Sequence, residues 1–266
     1  MKIQLQSPLA LPANSSQSDK SRNLFEQWVG LVKSPNTQIV KRYLSRGISS
    51  MEQYVYNGFR YFNCVDILKC MVKAEQDGYD AVIGICWLDP AIDAAKQLLD
   101  IPVIGPAKTS MHFACLVGDK IAVVTSDDRF IPDMNRLIKN YNMSNNMIQP
   151  KSVRSLTLAT KDILDCITNN HLPIIEDFIN VCKTCIEDGA DVIIIGCGII
   201  APIISTSGIR YVNNVPILDP VLISIKIAEL LVNLKGLEFP IISRNGLYYA
   251  PAKKDIGEVL NVIDGL

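Results

Sequence analysis

Histidine is almost missing from this chain: its 266 residues include only His112 and His171. A metal centre built on imidazole is therefore not expected. His112 lies at a helix start near Ser110, where a structural role is expected of it. No Gly-x-x-x-x-Gly-Lys-Ser/Thr loop and no Gly-x-Gly-x-x-Gly turn opens a helix, so nucleotides are not indicated. No lysine stands out as a Schiff-base candidate for pyridoxal phosphate. The formal net charge is only −1 and the sequence pI about 6.1, which gives no reason to expect nucleic acid or an acidic membrane surface as a partner. The longest apolar runs are broken by Pro202 and Lys226 before they reach the roughly 18–20 residues of a membrane span. Gln4, Gln6 and Pro8 break any apolar core of a secretory leader, and the expected location is the cytoplasm.

Cysteine, in contrast, is plentiful, with eight residues. Cys64, Cys70, Cys166, Cys182 and Cys185 fall in helical patterns, where a free thiol behaves as a small hydrophobe. Cys182 and Cys185 have Cys-x-x-Cys spacing, but no strand precedes them and no second pair completes a zinc site. Cys115 follows a helical segment and is read as core.

The remaining two, Cys86 and Cys197, close a stretch that the chain contains twice. Asp77-Gly78-Tyr79-Asp80 leads through Ala81-Val82-Ile83-Gly84-Ile85 to Cys86, and Asp188-Gly189-Ala190-Asp191 leads through Val192-Ile193-Ile194-Ile195-Gly196 to Cys197. Each begins with a turn-forming Asp-Gly and continues as the nearly unbroken apolar run of a strand buried on both faces. Ligands of open parallel sheets bind at the carboxyl ends of the strands, so both thiols sit where chemistry is expected. The context is duplicated too. A helical pattern (Val65, Leu68, Met71, Val72; then Ile174, Phe178, Val181, Cys182, Cys185) precedes each copy. A Pro-containing strand follows each, at Asp100–Pro106 and Asn214–Pro220, and Lys2–Ser7 is echoed by Lys120–Thr125. Two copies of one α/β unit in tandem explain this pattern, and facing lobes would put one thiol on each wall of a shared cleft.

In order, the sequence predicts a first strand ending near Ser7 and Pro8, then a polar loop from Leu9 to Asp19. A helix over 21–32 presents Leu24, Phe25, Trp28 and Leu31, and a strand spans 37–44. Ser50 is placed to cap the next helix. After Cys86, Asp89-Pro90 reads as the N-cap and first turn of a helix running to Leu99, and Pro202 has a similar place after Cys197. Beyond Pro106 come a helix over 109–117, a strand over 119–125 and a helix carrying Phe130, Met134 and Leu137, capped within 126–128. A strand over 151–158, a long helical region to Asp188 and a helix over 221–234 complete the pattern. That last helix crosses back to the first lobe, and the 243–251 tail is extended against a neighbour. The hydroxyls of Thr125 and Ser126 stand at a strand end, where they either bind a substrate carboxylate or imide or merely cap the next helix.

These residues resemble the aspartate/glutamate racemase superfamily, and within it most closely the hydantoin racemases. Gly78–Val82 through Cys86 to Asp89-Pro90, with Ile101–Pro106, is similar to one half-site. Val192–Gly198 with Val215–Pro220 is similar to the other, and Ser243–Pro251 to a Tyr-Ala-Pro-type tail. The resemblance covers nearly the whole chain. It implies an α/β fold of two pseudo-symmetric three-layer lobes, each with a mostly parallel central sheet and the active site between them. The expected division is 1–105 plus 218–266 for the first lobe and 106–217 for the second. It also implies a cofactor-independent racemase or epimerase in which Cys86 and Cys197 exchange acid and base roles on opposite faces of a carbon acid. Ser7, Trp87, Thr125, Ser126 and Gly198 are the candidate substrate contacts, with the backbone amides of Trp87 and Gly198 holding carbanion charge. The leading substrate is a 5-substituted hydantoin. An aspartate- or glutamate-type racemase, a maleate-type isomerase or decarboxylase, and a non-catalytic binding protein are the alternatives. Where the family often has Asn-Pro-Asn-Thr, this chain has Ser7-Pro8-Leu9-Ala10, and Trp87 replaces a smaller residue. The expected partners are a small-molecule substrate and further copies of the chain in a homo-oligomer, with no metal, no nucleic acid and no membrane.

Overall fold

The structure, a computed structural model, describes residues 1–11, 19–168 and 171–264. Most of the polar loop expected before Asp19 lies outside the described residues. The first half runs β1 (Lys2–Ala10), α1 (Asp19–Gly30), β2 (Gln38–Leu44), α2 (Met51–Tyr54), α3 (Asn57–Gln76), β3 (Ala81–Gly84), α4 (Ile92–Leu98), β4 (Val103–Ile104) and α5 (Pro106–Ala114). The second runs β5 (Ile121–Thr125), α6 (Ile131–Asn140), β6 (Val153–Ser155), α7 (Thr160–Thr168), α8 (Leu172–Glu187), β7 (Val192–Ile195), α9 (Ala201–Thr206), β8 (Tyr211–Val212), β9 (Val215–Leu218) and α10 (Pro220–Gly236), with α11 (Lys253–Asp264) in the tail.

Two sheets result, with strand orders β2-β1-β3-β4 and β6-β5-β7-β9-β8. Apart from the antiparallel pair β8 and β9, every pairing is parallel. β1 and β3 pair from Ile3↔Ala81 to Gln6↔Gly84, and β5 and β7 from Ile121↔Val192 to Val124↔Ile195, so the central strand pairs of the two sheets correspond in order and register. The duplicated Asp-Gly-x-Asp segments account for the matching starts. Gly78 and Gly189 take φ of 74° and 93°, a left-handed turn that ends α3 and α8 and that a side chain would strain. The second aspartate of each copy then ties the new strand to its neighbour. Asp80 accepts from Lys2 N, and Asp191 accepts from Asp119 N and Lys120 N.

Side chains of the central strands β3, β5 and β7 alternate across the sheets and are covered on both sides. In the second sheet, Ala122, Val124, Ile193 and Ile195 pack with Phe178, Cys182 and Cys185 of α8. Ile121, Val123, Val192 and Ile194 pack with Met111 of α5 and Met134 of α6. α5 leaves the first sheet and covers the second. α10 leaves the second sheet and covers β3 and β4, and the two crossing helices pack on each other. α10 is anchored at its start by Asp219, which accepts from Val221 N, Leu222 N, Trp28 Nε1 and Ser205 Oγ.

Several expectations change. Leu31 is exposed because α1 ends before it, at Gly30, and Val65 is exposed because α3 buries a narrower stripe than its apolar residues suggest. Cys115 is exposed just past the end of α5. The strand expected over 151–158 shortens to β6, and the tail turns through one 3-10 turn at Gly246–Tyr248. That tail packs on α4, where Arg244 donates to Lys96 O and Tyr248 OH to Asp93 Oδ1.

Glu229 of α10 is buried and accepts from Ser34 N, Ser34 Oγ and Thr37 Oγ1 while pairing with Lys226. Burial pushes its carboxyl up, but the Lys226, Thr37 and Ser34 donors outweigh that and hold it down at about 2. A carboxyl depressed from 4.5 in this way contributes stability above about pH 4.5, and that contribution is lost as pH falls towards 2. Glu229→Gln is expected to cost on the order of 2–3 kcal/mol at pH 7. Urea denaturation from pH 7 down to pH 3 checks this, since the gap between wild type and variant narrows below about pH 4.5.

Candidate active site

Matching register carries the two cysteines to matching places. Ile85 N donates to Gln6 O at 3.1 Å and Gly196 N to Val124 O at 2.7 Å; each thiol residue comes next, one step past the last ladder bond of its strand. Freed from the ladder, both face one cavity of 310 Å³ between the sheets. Its walls are mainly apolar and aromatic, among them Leu24, Phe25, Tyr43, Met51, Phe130 and Met134. Among its described lining residues the one charged side chain is Lys41, whose Nζ lies 4.8 Å from the Tyr43 ring centroid.

Ser7, Trp87, Thr125 and Gly198 line the cavity with Cys86 and Cys197. The Ser7 hydroxyl is engaged with its own strand, donating to Leu9 O and accepting from Leu9 N, both at 3.2 Å. Thr125 Oγ1 donates to Gly196 O at 3.4 Å. Trp87 is 2% exposed and donates through Nε1 to Ser110 Oγ at 3.3 Å, so most of its bulk packs in the core behind the thiol. Ser126 is not on the cavity wall: its Oγ donates to Cys197 Sγ at 3.2 Å. The cap of the following turn is Asp127, which accepts from Arg129 N. Gly198 lies against the backbone of the first half, where a Cβ would stand 2.1 Å from Ile85 O.

Sequence reasoning missed Tyr54. α2 lays it, 2% exposed, over the first thiol, with its hydroxyl 3.9 Å from Cys86 Sγ. Arg60 supports it from behind, donating to the carbonyls of Tyr54 and Val55 and pairing with Asp133. No local pattern could have indicated this, because the contact depends on how α2 returns across the cleft. Burial pushes the Cys86 thiol up to about 12; the Leu88 backbone N–H and Tyr54 oppose the shift, and Cys197 and Asp89 add to it.

Asp89 was expected to cap the helix that follows it. It has a φ of 49° instead, Ala91 a φ of 61°, and α4 begins only at Ile92. Its carboxylate turns away to cap α5, accepting from Ala107 N at 3.0 Å, Lys108 N at 3.1 Å and Tyr141 OH at 3.0 Å. Burial is the main reason its carboxyl is pushed up to about 6 against those three donors. His112 is exposed and bonded to Lys108 O, away from the cavity. Among the described residues no cluster of His, Cys, Asp or Glu has the arrangement of a metal site, and no helix is long and apolar enough to cross a membrane.

A family model described as Asp/Glu/hydantoin racemase matches residues 56–228. The chain is 29% identical over 200 residues to a hydantoin racemase of Pseudomonas sp. (strain NS671), covering 75% of this chain and 76% of that one. Among solved structures it resembles an allantoin racemase from Klebsiella pneumoniae with a TM-score of 0.74 at 23% identity, covering 95% of this chain and 94% of that one. An allantoin racemase from Pseudomonas fluorescens gives a TM-score of 0.74 at 24% identity, covering 95% and 97%. At these identities the structural likeness speaks to the fold.

The Gly198 contact yields a direct test. Gly198→Ala is expected to lower stability by about 1–3 kcal/mol, because the obstacle is a carbonyl and not a flexible side chain. Gly257→Ala, which meets nothing within 4 Å in a helix, should stabilise by about 0.5–1 kcal/mol. Urea denaturation of the two variants side by side checks both signs.

Proposed function

The chain belongs to the Asp/Glu/hydantoin racemase family, and we propose that it racemises a 5-substituted hydantoin by passing a proton between Cys86 and Cys197 without a cofactor. The observation that carries this reading is the pair of thiols, one from each lobe, lining one mainly apolar cavity. To invert a carbon acid, a thiolate takes the ring proton from one face while a thiol delivers another to the opposite face. The electron pair left on the carbon is delocalised onto the adjacent carbonyl oxygen, where the backbone amides of Trp87 and Gly198 stabilise it.

The walls favour this substrate over a free amino acid. Aspartate or glutamate would bring two carboxylates and an ammonium group into an apolar space whose described lining offers one cation, Lys41. A hydantoin ring enters uncharged, and its 5-substituent can rest on Phe25, Met51 and Phe130. The same reading places the lobe boundary just before each crossing helix, with 1–105 and 218–266 against 106–217. It takes the enzyme to be a cytoplasmic homo-oligomer.

Proton NMR of single hydantoin enantiomers in deuterated buffer tests the proposal. Wild type should exchange the C5 proton and invert 5-benzylhydantoin, and should leave aspartate and glutamate untouched. Cys86→Ser and Cys197→Ser should each lose inversion in both directions by at least about 100-fold, because a serine hydroxyl cannot replace a thiol near neutral pH. Full inversion by either single variant would sink the two-thiol mechanism. Turnover of the amino acids alone would move the substrate.

A further inference from the structure

The two half-sites are equivalent in backbone and differ in what each thiol is given as a partner. Cys197 Sγ has a hydroxyl donor at 3.2 Å, Ser126 Oγ, and among the described residues that hydroxyl has no other partner. Cys86 Sγ has Tyr54 OH at 3.9 Å, near the limit of a hydrogen bond to sulfur. We infer that the free enzyme rests with its thiols in opposite protonation states, Cys197 held as the thiolate by Ser126 and Cys86 carrying the proton beneath Tyr54. This rests on the reading of Cys86 and Cys197 as the acid–base pair and adds Ser126 and Tyr54 to it as positioning residues.

The surrounding charges agree. Asp89, three residues beyond Cys86 on the same loop, disfavours a second negative charge there. Arg60 does not offset this: its guanidinium lies 5.9 Å from the Tyr54 ring centroid and is committed to Asp133 and two carbonyls. On the other side, Asp127 follows Ser126, but its carboxylate is paired with Arg129 and bonded to Thr160, which leaves little free charge to oppose a thiolate at Cys197. Lys41 lines the cavity they share. A hydroxyl donating to a sulfur anion stabilises the anion more than the neutral thiol.

The proton count is complete. Cys197 S⁻ takes the C5 proton, forming S–H as C–H breaks and the electron pair moves to the carbonyl oxygen. Cys86 S–H then gives its proton to the opposite face and is left as the thiolate. The free enzyme returns to its resting state when a proton passes from Cys197 to Cys86. The enantiomer whose C5–H points at the second lobe therefore meets a ready base, and the other must wait for the reversed form.

Accessibility and protonation predict opposite orders of alkylation, and this makes the inference testable without any substrate. Cys197 is 8% exposed, whereas Cys86 is more open to the cavity. The free enzyme is treated with iodoacetamide at several pH values and each thiol is followed by peptide mass spectrometry, with exposed Cys115 as the ordinary thiol. Cys197 should react at least about tenfold faster than Cys86 at pH 7. Ser126→Ala should slow Cys197 about tenfold and move its pH–rate profile to higher pH, with Ser126→Thr restoring it and Tyr54→Phe leaving it in place. Cys86 reacting first, equal rates at the two sites, or a Cys197 profile unmoved in Ser126→Ala would overturn the inference. A chain that alkylates in the expected order but exchanges no hydantoin proton keeps this inference and loses the proposed substrate.

Discussion

The architecture depends on two buried carboxylates, each at the N-terminus of a helix that leaves one lobe to cover the other. Asp219 receives Val221 N and Leu222 N of α10, and Asp89 receives Ala107 N and Lys108 N of α5. Among the described residues no cation neutralises either by direct contact. The first-turn amides and the helix dipole do that work, together with one aromatic donor apiece, Trp28 for Asp219 and Tyr141 for Asp89. Trp28 belongs to α1 and Tyr141 closes α6, so each carboxylate joins a crossing helix to the opposite lobe. Burial still pushes both carboxyls up, so their amide and aromatic donors recover only part of what desolvation costs. The proposed two-thiol mechanism needs such a fixed joint, since thiols held on independently moving sheets could not keep opposite faces of one carbon within reach.

The two carboxylates reach equivalent positions by different routes, and this explains what the sequence could convey. Asp219 directly precedes the helix it caps, although the sequence pattern places Asp219-Pro220 at the end of the preceding strand. Asp89 has the same Asp-Pro signature but caps a helix 17 residues further on, because Gly105, at the local cap position, has no side chain to offer. Signals confined to one turn were legible: the Asp-Gly openings, the strand-end cysteines, the Pro-led helix α9. Those that depend on chain segments meeting across the molecule were not. Tyr54 over Cys86, Ser126 behind Cys197 and the exposure of Val65 all depend on which neighbours arrive, and no periodicity encodes that.

Duplication supplies two strand ends facing each other, but exact duplication would leave their thiols without any difference in proton affinity. Two identical thiols would share one proton equally and give the cleft no defined resting form. The copies have diverged where this matters. Trp87 stands opposite Gly198 in the repeat, and these two put bulk behind the first thiol and a close backbone contact beside the second. Ser126 and Tyr54 have no counterparts in type, one coming from a strand end and the other from a short helix laid over the cleft. Asp89 stands where the second copy has Ile200, so negative charge lies behind Cys86 and an apolar side chain behind Cys197. The Ser126 and Asp89 differences bias the pair in the same direction, and Tyr54, at 3.9 Å, opposes them only through a long contact. On the proposed two-thiol reading, the repeated backbone sets the distance and the facing of the two groups, and the unrepeated side chains bias which of them holds the proton. That division lets nearly symmetric scaffolding carry out a reaction whose every half-step is asymmetric.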